Sequence, residues 1–214
     1  MTRRQWIDFI KEYVGKIDPQ RVFHKSVLSE ALGLAYENFA YDTYRKTPYE
    51  LDAMGKTYES VSVTLDTTKD RYYSDLPCSI IPIDKVGSGI IEIGTEEGFG
   101  YDFVPMYLHE ARLTSGFEVE AMLSEINYVL IGEKVYYTSM TSAISTAGVR
   151  MTVVQQWSEY GLDENIPMPA GQSQRFIETV LNVLNIRNPE TLENNNSSSY
   201  GTRSRQSGEA ERRG

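Results

Sequence analysis

A chain of 214 residues with 40% hydrophobic and 24% charged residues holds enough apolar material for one ordinary globular domain, with room for an inserted subdomain. Its 30 acidic against 21 basic side chains give a formal charge of −9, which argues against affinity for nucleic acid through phosphate neutralisation. The single cysteine, Cys78, excludes an internal disulfide and a thiolate cage for a metal, and no apolar run approaches the roughly 20 residues needed to cross a bilayer. The expectation is a soluble chain with no cleaved export signal, suited to a reducing cytoplasm.

The first predicted element opens with Thr2 and Gln5 at capping-box spacing, followed by Trp6, Ile10, Tyr13, Val14 and Ile17 at helical spacing, with Gly15 starting the exit. Asp18 and Pro19 read as a second helix start, an N-cap carboxylate ahead of a proline in the first turn. Val27, Leu28, Ala31, Leu32, Ala35 and Phe39 then form one apolar stripe, on a helix that ends before Pro48.

Beyond Pro48 the period changes to two. YESVSVTL, with Val61, Val63 and Leu65 on one side, reads as a strand. RYYS, SIIPI, GIIEIG, YDFVPM, NYVLI, KVYYT and VRMTVVQQW follow as further short strands, punctuated by glycines. Gly132 and Glu133 fit a two-residue type II′ hairpin. Residues 106–126 read as one or two short helices or a long excursion. Pro167 and Pro169 then impose an extended approach to a third helix over Gln172–Leu184.

These elements predict an α+β fold. A small helical platform, two N-terminal helices in residues 1–56 plus one C-terminal helix in 161–190, carries an inserted antiparallel β-sandwich or barrel over 57–160. Residues 191–214 form a polar, extended C-terminal arm. Ordering that arm costs about 25–50 kcal/mol of backbone entropy, which its own contacts cannot offset, so a partner surface is expected to hold it. Fully extended it reaches roughly 80 Å.

Reactive constellations are sparse. His24 and His109 lack metal-ligand spacing, there is no phosphate-binding GxxxxGK[ST] loop and no GxSxG elbow, and the GSG and GFG runs read as tight turns. Cys78, behind a proline in a strand-like stretch, reads as a small buried group. The reading is therefore no enzyme, no metal and no cofactor. Fifteen tyrosines suit surfaces that become interfaces, and suit strand positions equally. Interface candidates are Phe99 and Tyr101 with Tyr200, Arg203, Arg205, Arg212 and Arg213 of the arm, whose arginines suit an acidic neighbour. The acidic pairs Glu96 and Glu97, and Asp163 and Glu164, are read as solvated loops or as loops facing a DNA passage.

Four stretches in order carry a resemblance: MTRRQWIDFI with the helix ending in YDTYRK, then DLPCSIIPIDKVGSGIIEIG, then EINYVLIGEKVYYT, and ENIPMPAGQSQRFIETVLNVL before a polar tail. Together they cover nearly the whole chain and resemble the head-to-tail connector ring proteins of crAss-like tailed bacteriophages, and more distantly the tail adaptors of short-tailed phages. They are patterns of shape, not catalytic signatures. The resemblance implies a virion protein, made in the host bacterial cytoplasm, that assembles as a homo-oligomeric ring, commonly twelve-fold, below the portal protein. Such a ring bridges the portal to an adjacent connector or tail protein, passes DNA without sequence preference and touches no membrane. Another tail or neck completion role shares the same physical arguments. A small soluble hydrolase using paired carboxylates, or a carbohydrate- or protein-binding β module, are the readings from other classes.

Overall fold

The computed structural model describes residues 1–83, 88–95, 102–110, 125–138, 140 and 142–186. Helix α1, Arg3–Ile17, opens with the expected capping box: Gln5 N donates to Thr2 Oγ1 at 3.2 Å, and Thr2 N donates to Gln5 Oε1 at 2.9 Å. Gly15 does not end it. The helix runs two residues further, to a C-cap at Asp18, whose N–H donates to Val14 O at 2.8 Å. Asp18 and Pro19 therefore close α1 instead of opening the next helix. Helix α2, Lys25–Lys46, starts later, with His24 as N-cap, its Nδ1 accepting from Ser26 N at 3.3 Å. It stops before Pro48, which begins a 3-10 helix, Pro48–Met54.

Among the described residues eight strands follow, with a short helix α3, Ser142–Ala147, ahead of the last of them. A three-stranded antiparallel sheet has the order β1 (Lys56–Val61), β8 (Val149–Val153), β4 (Ile90–Thr95). A five-stranded sheet has the order β2 (Thr64–Asp66), β3 (Arg71–Asp75), β7 (Lys134–Tyr137), β6 (Glu125–Ile131), β5 (Asp102–Pro105). The two sheets share a core that draws Ile93, Met151 and Val153 from one and Ile126, Tyr128, Val135 and Tyr137 from the other. The β6–β7 connection is the expected tight hairpin, with Gly132 at φ 63°.

Three features depart from the alternation read in the chain. YESVSVTL is not one strand: Ser60 lies in the left-handed region at φ 55°, and the bulge between Tyr58 and Val61 sends β1 and β2 into different sheets. SIIPI makes only an isolated bridge, Ile80 to Gln155, because Pro82 has no N–H for a ladder. Its Ile81 and Ile83 instead enter the helical core. Strand β5 runs parallel to β6, so the sheets are not wholly antiparallel. The predicted helices or excursion over 106–126 lie largely outside the described residues.

The last helix, α4, Ser173–Val183, buries Phe176, Ile177, Val180 and Leu181 against α2. Phe176 is fully buried, with ring centroids of Trp6, Phe39, Tyr36 and Trp157 at 5.0, 5.7, 6.2 and 6.3 Å. Burying such a ring contributes about 1.5–3 kcal/mol. The Arg3 guanidinium ties the platform together, with Nη1 donating to Tyr160 O at 2.9 Å and Nη2 to Ser29 Oγ at 3.1 Å. The platform and the β region meet where the chain passes from β8 into Val154, Trp157 and Tyr160, all buried in the helical cluster. No helix among the described residues is long and apolar enough to cross a membrane.

Candidate functional site

Polar side chains converge at the seam between platform and sheets. Lys56, at the start of β1, forms an ion pair and hydrogen bond with Glu164, whose other carboxylate oxygen accepts from Gly161 N at 3.0 Å. Its ammonium lies 5.2 Å from the Tyr58 ring centroid and 5.7 Å from that of Tyr160. Tyr58 donates to Oε1 of Gln155, a residue with no exposed surface, and Tyr36 donates to Pro167 O at 3.1 Å. Burial pushes the hydroxyls of Tyr36, Tyr58 and Tyr160 well above the ordinary tyrosine range, and it pushes the Cys78 thiol up as well. The hydrogen bond from Lys56 holds Glu164 below the usual carboxylate range. The Lys56–Glu164 and Tyr58–Gln155 contacts join the platform to the sheets.

Of the acidic loop residues singled out in the sequence, Asp163 and Glu164 are described: Asp163 lies largely exposed in a surface ion pair, and Glu164 is half-buried at the seam. Asp163 pairs with Arg4 of α1 at 2.9 Å, and Glu164 with Lys56. Glu96, Glu97, Phe99, Tyr101, Tyr200, Arg203, Arg205, Arg212 and Arg213 lie outside the described residues. The two histidines are far apart in role: His24 caps α2, and His109 stacks on Tyr107 at 5.5 Å. Among the described residues no group of three or more His, Cys, Asp or Glu could hold a metal ion.

Two outward faces carry apolar groups. On the five-stranded sheet, Tyr73 and Tyr136 lie on the side away from the shared core, packed with Val129 and Met106. Lysines cover them: Lys134 Nζ sits 3.9 Å from the Tyr73 centroid, and Lys69 Nζ 4.1 Å from that of Tyr136, with a 2.8 Å hydrogen bond to its hydroxyl. Tyr136 is only 5% exposed. Tyr136 therefore offers no open face on which a base could stack.

On α2 the second face is open. The inner face buries Leu28, Ala31, Leu32, Ala35, Tyr36, Phe39, Ala40 and Thr43. Val27, placed in the inner stripe by the sequence reading, is 44% exposed, and it aligns with Leu34 at 52% and Tyr41 at 46%. These recur every seven residues, and a helix returns to within about 20° of the same direction at that spacing. Tyr44, and Tyr49 just past the helix, add further exposed aromatic surface. Sequence reasoning missed this stripe because a single search for the best apolar face absorbs Val27 and stops. The available signal was the presence of apolar residues all round one helix, a pattern of helices covered on more than one side.

No family model matches the chain, and no match is found among curated proteins.

Proposed function

We propose that the chain is a structural virion subunit that works through the surfaces it covers in company, assembling as a ring in the head-to-tail connector of a tailed bacteriophage, between the portal and the next connector or tail protein. The observation that carries the assembly reading is α2, whose inner face is spent on the subunit's own core while Val27, Leu34 and Tyr41 stand outward in line. Aligned exposed aliphatic and aromatic groups on one rigid helix are the raw material of an interface core. The phage setting rests on the four-stretch resemblance. The arm beyond residue 190 adds a polar, arginine-bearing segment suited to an acidic neighbour.

In this reading, a DNA-facing role for the acidic loops is open to Glu96, Glu97 and the largely exposed Asp163, whereas Glu164 is engaged by Lys56 at the seam. The experiment is electron microscopy of the purified protein, alone and mixed with its portal. A ring, or a portal-dependent ring, is expected. A chain that stays monomeric under both conditions overturns the reading.

A further inference from the structure

The open stripe of α2 has a charge pattern that selects its occupant. Glu30 and Glu37 flank Leu34 and have no ion-pair partner among the described residues. Near the other end Arg45 lies over the Tyr41 ring, 5.7 Å from its centroid, and Asn38 is exposed between them. We propose that in the free subunit this face pairs with the same face of a second copy, antiparallel, about a two-fold axis between Glu37 and Asn38. Leu34 then meets Tyr41 of the second copy, Glu30 meets Arg45, and Glu37 meets Asn38, each contact made twice. A parallel pairing would instead set Glu30 and Glu37 on their own equivalents and Arg45 on Arg45, like charge on like, which is destabilising. The antiparallel arrangement pairs Leu34 with Tyr41 and Glu30 with Arg45 twice over and leaves one like-charge approach, Glu37 beside its own copy at the axis, where the parallel arrangement has three.

The inference rests on the proposal that α2 is an assembly surface, and it adds the occupant in the free protein. Neighbours in a cyclic ring meet through two different faces, so a two-fold pair does not belong to the finished ring. The pair covers the stripe until assembly and must open for the subunit to join the ring.

Cross-linking of the full chain in a Cys78→Ser background tests this. Two copies of residue 38 lie close to the axis, about 8–10 Å apart, whereas two copies of residue 27 are separated by about 31 Å along the helices. With a short bismaleimide, Asn38→Cys is expected to give a covalent dimer and Val27→Cys none. Leu34→Glu is expected to weaken association at least tenfold in sedimentation equilibrium, with its circular dichroism unchanged because the position is exposed. Absence of the Asn38→Cys dimer overturns the two-fold pair. If Leu34→Glu still abolishes self-association, α2 remains an assembly surface with a different partner face. Failure to form rings with the portal, while the Asn38→Cys dimer persists, overturns the ring and leaves the pair.

Discussion

The outer face of the five-stranded sheet and the outer face of α2 both present tyrosines away from the cores, and they end in opposite states. On the sheet, strand pairing sets Lys134 opposite Asp75, two places from Tyr73, so an ammonium reaches the ring from the neighbouring strand. Lys69, in the β2–β3 turn, reaches Tyr136 in the same way. On α2 cover must come from residues three or four places along the same helix. Arg45 lies over the Tyr41 ring yet leaves it nearly as exposed as Leu34, which has Glu30, Glu37 and Asn38 around it. A sheet can cover its outward aromatics through cross-strand neighbours, whereas an outward helix face has only its own neighbours three and four places along.

The largest test of this contrast is whether the two sides of α2 are energetically separate. Phe176→Ala, on the inner side, is expected to cost about 3–5 kcal/mol in thermal or denaturant unfolding. Leu34→Glu, on the outer side, is expected to stay within about 0.5 kcal/mol for the monomer. A large loss for Leu34→Glu would place the stripe in the subunit's own core and break the comparison.

The join between the two regions comes next. Gln155→Leu removes the acceptor for the Tyr58 hydroxyl and is expected to cost about 1–2 kcal/mol, with much of the loss recovered in the double variant Gln155→Leu/Tyr58→Phe. An unrecovered double variant would show that the cost lies in packing and not in the stranded hydroxyl.

Glu164 probes the same seam through pH. Its folded pKa lies below the ordinary 4.5, so its pairing with Lys56 contributes fully above that pH and is lost as pH falls through the lowered value. Both partners keep about a third of their side-chain surface exposed (33% and 36%), which holds the contribution to about 1 kcal/mol or less. Glu164→Gln should therefore be less stable than the native chain at neutral pH, with the gap closing below pH 4.5; a gap independent of pH would contradict the ion pair.

The smallest effect sharpens the contrast from the sheet side. Lys134→Ala is expected to change stability little and to raise quenching of tyrosine fluorescence by a soluble quencher as the Tyr73 ring opens. An unchanged quenching profile would show that the lysine is not the cover.

The proposed interface was only half legible in the chain. Tyrosine abundance and the lack of convergent reactive groups pointed toward interfaces, but the candidates Phe99, Tyr101 and the arm were chosen for composition. Leu34 and Tyr41 were passed over because the pattern of α2 admits more than one apolar face, and only the position of α4 and Trp157 against Tyr36 and Phe39 decides which face is left outward. Asp163 is as solvated as its local sequence suggests, whereas Glu164 is half-buried against Lys56, a partner that nothing nearby in the chain announces.

By itself the sequence determined the α+β class, the capping box of α1, the stop of α2 before Pro48, the Gly132–Glu133 hairpin and the extent of α4. Each rests on a period or a cap spanning a few residues, and such interactions are local enough to act before the fold forms. Only the tertiary structure decided that residues 56–66 divide between two sheets, that β5 runs parallel to β6, that Ile81 and Ile83 belong to the helical core, and that Val27, Leu34 and Tyr41 face outward. Those outcomes turn on contacts between residues distant along the chain, which a local pattern permits in several ways and packing reduces to one.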